Sequence, residues 1–159
     1  MALMGVLMAL NQIFLLMASI IESNTFFFLG IASLPLGIIV IERGWKKGVL
    51  FFIGSLFLTF FIIPDKLILI PYAFVFGNYG VVKYLIEGRG NIVWEIIFKA
   101  IYLNITFIGA VIISKNMLGL SIPLYLILGA NIVFFIYDYA YSLFISQYQN
   151  KIRGKIKWN

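Results

Sequence analysis

Residues 2–21, ALMGVLMALNQIFLLMASII, form a run of twenty positions without a charged side chain. A helix rises about 1.5 Å per residue and the hydrocarbon core of a bilayer is about 30 Å thick, so such a run is long enough to cross a membrane. No basic region precedes the run and no small-residue cleavage site follows it. We therefore expect a retained transmembrane helix and not a signal peptide.

The rest of the 159-residue chain has the same character. It is 63% hydrophobic and 11% charged, whereas soluble domains carry about 25% charged residues, so a soluble globule is excluded. The sequence predicts an all-α integral membrane protein with six transmembrane helices in one bundle domain, residues 1–146, followed by a basic tail. The predicted helices cover about 2–21, 25–41, 48–63, 67–86, 92–114 and 120–146, and the tail covers 147–159.

Basic residues are distributed unevenly over the predicted loops. If the N-terminus lies in the cytoplasm, eight basic residues fall on the cytoplasmic side and only Lys66 and Lys115 on the other. The eight are Arg43, Lys46, Lys47, Arg89, Lys151, Arg153, Lys155 and Lys157. Because cytoplasmic loops are enriched in Lys and Arg, this distribution predicts that both termini lie in the cytoplasm.

The residue types that are missing exclude several kinds of chemistry. The chain has no Cys and no His, which removes disulfides, thiolate nucleophiles, most zinc sites and the usual general base. No metalloprotease, Ser/His or paired-aspartate motif occurs. We expect no enzyme activity, no metal and no cofactor. The net charge of +6 is explained by membrane orientation, so no nucleic-acid partner is expected.

Polar residues inside the predicted helices fall into two layers. Near mid-depth lie Asn11, Gln12, Asn78, Asn104 and Asn131. Closer to the cytoplasm lie Lys83, Lys99 and Asp138, which we predict to form one intramembrane charge cluster. Its role is either a structural bridge or an ion-coupled carrier site, and interhelical Asn bonds often only stabilise packing.

Two other features predict binding surfaces. The outer half of the bundle has no charge away from its rim and is rich in Phe and Tyr, which suits either a pocket for a small neutral or aromatic ligand or a packed aromatic core. In the first helix, Gly5 and Ala9, with Ala2 nearby, form a small-xxx-small pair that suits a partner interface. The basic tail either lies on the anionic leaflet or is a solvated end.

A resemblance adds to these predictions. The stretch 70–83, IPYAFVFGNYGVVK, with the later residues Trp94, Glu95, Lys99 and Asn104, resembles a group of small uncharacterised bacterial membrane proteins. Their pattern has Tyr-x-x-Phe-Phe-Gly-Tyr-Tyr-Pro before the Lys, and here Asn78 and Gly80 replace its Tyr and Pro. That group is similar in size, helix number and topology to the S components of energy-coupling factor (ECF) vitamin transporters.

The resemblance implies a function in the bacterial cytoplasmic membrane. It implies a multi-pass, S-component-like subunit that binds a small vitamin-like molecule, with a transmembrane coupling subunit and ATPases as partners. The ligand-binding residues that it implies are Tyr72, Asn78, Thr106, Tyr125 and Asn131. The coupling subunit would contact helix one, where the family's Ala-xxx-Ala pair is replaced by Gly5 and Ala9.

A different class of function fits the same size and helix number. A non-enzymatic scaffold of the cell envelope, which assembles other membrane proteins, would use the small-residue face of helix one and the basic tail. A ligand-filled pocket would favour the transporter subunit, and contacts to cell-wall or division proteins would favour the scaffold.

Overall fold

The computed structural model describes residues 2–88, 90–118 and 125–153. Helices account for 92% of these residues, and no strand occurs among them. The predicted all-helical fold is therefore confirmed for the described part of the chain.

Six helical elements follow one another along the described residues. They are α1, Ala2–Ile20; α2, Thr25–Arg43; α3, Trp45–Ile62; α4, Lys66–Glu87; α5, Ile92–Leu118; and α6, Tyr125–Gln147. The first five are long and apolar enough to cross a membrane. The sixth is 23 residues long and carries Asn131 and Asp138, and its crossing of a membrane stays a prediction.

The turn between α2 and α3 consists of a single residue, Gly44. Its φ of 83° is in the left-handed region that glycine adopts readily, and its N–H donates to the carbonyl of Val40 at 2.9 Å. This cap ends α2 and lets α3 begin at Trp45, three residues earlier than the sequence predicts. The third helix is therefore 18 residues long, which removes the mismatch with the membrane that a 16-residue helix would have.

Helix α4 is irregular around Pro71, where the sequence predicts a bend. A 3-10 turn and one α-helical turn lead into a π-helical segment, Tyr72–Phe76. The segment ends where Gly77 N–H donates to the carbonyl of Tyr72 at 2.6 Å. Regular α-helix resumes over Tyr79–Glu87. Proline has no N–H to donate within a helix, and π segments often lie at functional sites.

The bundle has two ends that differ in charge. We call the end with Arg43, Lys46, Lys47, Lys151 and Arg153 the basic end, and the end with Glu22–Asn24 and Asp65 the opposite end. Buried clusters of apolar side chains join α1, α2, α3 and α4 at both ends. A third cluster, rich in aromatic residues, joins α4, α5 and α6.

The helices are buried to very different extents. Over half of the α2 span, 56%, is buried in the bundle, against 11% of the α5 span. The exposed side chains of α3 and α5 include Phe57, Phe61, Ile105 and Ile108. Monomeric soluble proteins rarely expose contiguous apolar surfaces of this kind, whereas helices that face lipid do. The exterior is therefore compatible with a membrane protein.

Candidate functional site

Four charged side chains from three helices form a closed cluster, which we call the ion quartet. Lys83 and Glu87 come from α4, Lys99 from α5 and Asp138 from α6. Glu87 Oε1 lies 2.5 Å from Lys83 Nζ and 2.6 Å from Lys99 Nζ. Asp138 contacts Lys83 through Oδ1 and Lys99 through Oδ2, the latter at 2.9 Å. Each ammonium therefore contacts both carboxylates.

The quartet is largely removed from solvent. The side chains of Lys83, Lys99 and Asp138 are 6%, 7% and 14% exposed, and that of Glu87 is 37% exposed. Two positive and two negative charges cancel, which limits the desolvation cost of burial, whereas loss of one partner would leave an uncompensated charge. The structure thus brings the predicted cluster residues Lys83, Lys99 and Asp138 together.

Glu87 was not among the cluster residues predicted from the sequence. The signal for it was present, because Glu87 lies four residues after Lys83 and such pairs share one face of a helix. The predicted helix ends at residue 86, so the sequence prediction places Glu87 in the following loop. Glu87 is the most exposed member of the quartet, so its side chain is the part of the cluster that reaches the protein surface.

A cluster of aromatic rings packs next to the ion quartet. The Tyr79 hydroxyl donates a hydrogen bond to Asp138 Oδ1. The Tyr79 ring lies 5.0–5.9 Å, centroid to centroid, from four other rings, those of Tyr102, Phe134, Tyr137 and Tyr141. Edge-to-face and tilted aromatic pairs at these distances stabilise packing. The aromatic side chains beside the quartet therefore form a packed core.

Small residues on α2 contact two of these tyrosines. Tyr137 hydroxyl lies 2.5 Å from Ser33 Oγ, and Tyr141 hydroxyl donates to the carbonyl of Ser33 at 3.3 Å. A Cβ added at Gly30 would lie 3.3 Å from the Tyr137 ring, and one added at Gly37 would collide with the Tyr141 hydroxyl. The absence of side chains at these glycines is what lets α6 approach α2.

A second polar cluster is neutral, and we call it the amide network. Asn11 Nδ2 donates to the carbonyl of Ala32 at 2.6 Å and to Tyr72 hydroxyl at 2.8 Å. Asn11 Oδ1 accepts from Ser55 Oγ at 2.5 Å and from Gln12 Nε2 at 3.0 Å. Thr59 Oγ1 reaches Gln12 Oε1 at 3.2 Å. These bonds join α1, α2, α3 and α4, and Ser55 and Thr59 were not predicted from the sequence to take part in them.

The predicted ligand-binding residues are used in contacts within the protein. Tyr72 is buried in the amide network, and Asn78 accepts a hydrogen bond from the Tyr102 hydroxyl. Thr106 Oγ1 donates to backbone carbonyls of its own helix. Asn131 pairs with Asn104 at 3.2 Å and 3.3 Å. None of these four side chains lines either of the two cavities described below, and the Tyr125 side chain lies outside the described residues.

Two open cavities lie at the two ends of the bundle. The cavity at the opposite end has a volume of about 550 Å³, and the cavity at the basic end has about 400 Å³. The first is lined by residues that include Glu22, Asn24, Phe26, Phe27, Asp65 and Pro71. The second is lined by residues that include Gly37, Val40, Lys83, Glu87, Tyr141 and Arg153. The basic-end cavity therefore reaches the ion quartet.

The predicted partner interface lies on the exterior of α1. Gly5 and Ala9 are exposed, and a Cβ added at Gly5 would meet no atom within 4 Å. Val6 and Ile13 on the same side are also more than half exposed. The face is therefore open to lipid or to another protein, and the side chain of Ala2 lies outside the described residues.

The start of the basic tail folds against α2. Residues Tyr148–Ile152 continue α6 as a π-helical turn. Arg153 Nε lies 3.0 Å from Glu42 Oε1, and Tyr148 hydroxyl donates to the same oxygen at 3.4 Å. The tail thus begins as part of the bundle. Lys155 and Lys157 lie outside the described residues.

Within the residues that the structure describes, the chain is all-helical with six helices, five of them long and apolar enough to cross a membrane, and the ion quartet joins three of the six. Comparisons with protein-family models, with curated proteins and with solved structures found no match to this chain. The resemblance to S components accordingly stays a prediction from size, helix number and topology.

Proposed function

We propose that this chain is a multi-pass protein of the bacterial cytoplasmic membrane and the substrate-binding subunit of an energy-coupling factor type importer. In this proposal all six helices cross the membrane, both termini lie in the cytoplasm, and the fold is S-component-like. The chain itself catalyses no reaction. The observation that carries the proposal is the open cavity of about 550 Å³ at the end opposite the basic end.

The position of the cavity supports uptake from outside the cell. Basic residues concentrate on the cytoplasmic side of membrane proteins, and the basic end carries Arg43, Lys46, Lys47 and Arg153. The cavity at the other end therefore faces the exterior in the proposed orientation. An importer subunit that captures a dilute solute needs a binding cavity on that side.

The lining of this cavity supports a small, mostly neutral or aromatic ligand. Phe26, Phe27 and Pro71 supply apolar surface, Asn24 and Thr25 supply polar groups at the start of α2, and the lining also includes the carboxylates of Glu22 and Asp65. Ligand sites combine apolar walls with a few polar groups in this way, and their volumes are about 300–1,000 Å³. A vitamin-like molecule matches both the size and the chemistry.

The exterior of α1 supports docking to a coupling subunit. The exposed Gly5 and Ala9 let a second helix approach closely, as small-xxx-small pairs do in membranes. A transmembrane coupling subunit and a pair of ATPases would then supply the energy that this chain has no means of supplying.

The test is purification of the tagged chain from its native membrane in mild detergent, with mass spectrometry of the retained proteins and small molecules. We expect paired ATPases with a coupling subunit, or one stoichiometric metabolite. The variant Phe27→Ala should lower retention of the metabolite at least tenfold. Phe61→Ala removes an equally exposed ring outside the cavity and is the matched control. Absence of both a metabolite and an ATPase would overturn the proposal.

A second candidate, a scaffold of the cell envelope, is favoured by the exposed small-residue face of α1. A scaffold needs a helix surface that other membrane proteins can approach, and needs no ligand. Crosslinking that recovers cell-wall or division proteins without a bound metabolite would support it, and loss of these crosslinks in Gly5→Leu would place the contact on α1.

A further inference from the structure

The cavity at the basic end is distinct from the cavity assigned to an imported ligand. It lies between α2, α4 and α6, with a volume of about 400 Å³. Its walls combine apolar groups, among them Val40, Ile41 and Ile145, with the charged groups of Lys83, Glu87 and Arg153. The proposed importer function has no use for a cavity at this end.

Two buried ammonium groups meet at one point beside this cavity. Lys83 Nζ and Lys99 Nζ both lie within 2.6 Å of a single oxygen, Glu87 Oε1. Two cations that converge on one acceptor oxygen form the kind of arrangement that holds a phosphate or carboxylate oxygen. In this structure a carboxylate of the chain itself occupies the position.

Glu87, which occupies this position, is the member of the quartet that can move into solvent most readily. Glu87 is the last residue of α4 and is followed by Gly88, and its side chain is 37% exposed. Both lysines are less than 10% exposed, and they are also held by Asp138 from the other side. Rotation of Glu87 into solvent would leave the lysines in place with one uncompensated positive charge.

We propose that the basic-end cavity is a binding site for a phosphate group, and that Glu87 is its displaceable internal occupant. The phosphate oxygen takes the position of Glu87 Oε1 between Lys83 and Lys99, and Arg153 lies at the cavity wall. A group with a single negative charge restores the charge balance of the cluster. The apolar wall accommodates the non-polar part of the ligand.

The phosphate can come from two sources with the same chemistry. Basic pockets between helices at the cytoplasmic side bind the headgroups of anionic phospholipids, and a soluble phosphate compound offers the same oxygens. Each source is given its own arm of the test.

The experiment measures thermal unfolding of the full-length chain in a neutral detergent. Wild type, Glu87→Gln and Glu95→Gln are compared, and Glu95 is the control because it is an acid of α5 outside the quartet. Without added anion we expect the melting temperature of Glu87→Gln to fall several degrees below the other two. Inorganic phosphate or phosphatidylglycerol should then restore at least half of the loss.

The controls are phosphatidylcholine and chloride at equal ionic strength, which should restore nothing. Rescue by phosphatidylglycerol alone identifies a lipid headgroup, rescue by inorganic phosphate alone identifies a soluble ligand, and either result supports the site. Equal melting temperatures of Glu87→Gln with and without both probes would overturn it.

A second measurement does not depend on the folding of that variant. Native mass spectrometry of the wild type in mixed micelles should retain phosphatidylglycerol in preference to phosphatidylcholine. Arg153→Gln should lower this retention at least threefold, and Lys151→Gln, an exposed neighbour outside the cavity lining, should leave it unchanged. Equal retention in all three proteins, together with the absence of phosphate rescue, would refute the proposal.

Discussion

The amide network and the ion quartet both bury polar groups, yet they do so with opposite chemistry. The amide network of Asn11, Gln12 and Ser55 is neutral and joins helices that already pack closely, with over half of the α2 span buried. The ion quartet is charged and joins α5 and α6 to α4, where only 11% of the α5 span is buried. The charged cluster therefore includes the span with the smallest buried share of the five.

This difference indicates what each cluster does. Neutral hydrogen bonds add a modest amount to an interface that is stable without them. A buried ion cluster costs desolvation and is a weak source of net stability, but an incomplete one is strongly unfavourable. The quartet therefore specifies a single docked position for α5 and α6, because every shifted position separates charges.

The largest effect is expected from Asp138→Ala. The substitution leaves Lys83 and Lys99 with only Glu87 between them, and breaking a buried ion pair costs about 3–5 kcal/mol. The free energy of unfolding, measured by titration with a denaturing detergent, should fall by about that amount.

The control restores the charge balance without restoring the bonds. The double variant Asp138→Leu with Lys99→Met retains the pair of Lys83 and Glu87, which lies on one helix. It should recover most of the stability lost in Asp138→Ala. Equal instability of the two variants would contradict the view that charge balance, and not the number of bonds, decides the stability of the quartet.

A smaller effect is expected from Asn11→Leu in the amide network. The change removes the acceptor of Ser55 and Gln12 and the donor to the Ala32 carbonyl. Buried polar groups left without partners cost about 1–3 kcal/mol, and Ser55 and Gln12 keep other partners in Tyr72 and Thr59, so we expect a loss of about 2 kcal/mol in the same titration. A loss equal to that of Asp138→Ala would remove the distinction between the two clusters.

Gly37→Ala tests how closely α6 must approach α2. The added Cβ would collide with the Tyr141 hydroxyl and lie 3.0 Å from Ile145 Cδ1. Overpacking of this kind costs about 1–3 kcal/mol, and the melting temperature should fall accordingly. The matched control is Gly5→Ala, because a Cβ at Gly5 meets no atom within 4 Å.

The collision with one hydroxyl gives a further check on Gly37→Ala. Combination with Tyr141→Phe should recover part of the lost melting temperature, since the colliding oxygen is removed. No recovery would mean that the cost arises at the other close contacts of the added Cβ, with Tyr141 Cζ and Ile145 Cδ1 at 3.0 Å.

Much of the fold was predictable because a helix must have a minimum length to cross a membrane. The hydrocarbon thickness and the helical rise fix the length of an apolar run, so the six helices follow from the sequence. The charge cluster was predictable for a related reason. Lys83, Lys99 and Asp138 lie at similar depths when residues are counted from the helix midpoints, and unpaired charges at that depth are costly.

The partners within each layer were not predictable. Ser55 and Thr59 gave no signal because a hydroxyl in a helix can bond to its own backbone carbonyl, as Thr59 does with Ser55 at 2.6 Å. The π-helical segment of α4 also has no sequence pattern of its own. It depends on packing around Gly77, where a Cβ would lie 2.8 Å from both Phe52 and the Tyr72 carbonyl.

The smallest effect on stability is expected at the pair of Asn104 and Asn131, for which depth in the membrane alone does not predict the hydrogen-bond partner. Both lie near mid-depth with Asn11, yet they pair with each other between α5 and α6, and the pair is only partly buried. A double-mutant cycle with Asn104→Leu and Asn131→Leu should give a coupling of about 0.6 kcal/mol, the average for interhelical hydrogen bonds in membranes. A coupling above about 2 kcal/mol would mean that neutral bonds, and not the ion quartet, hold α5 to α6. A value near 0.6 kcal/mol would leave the ion quartet and the aromatic cluster around Tyr79 as the contacts that determine their position.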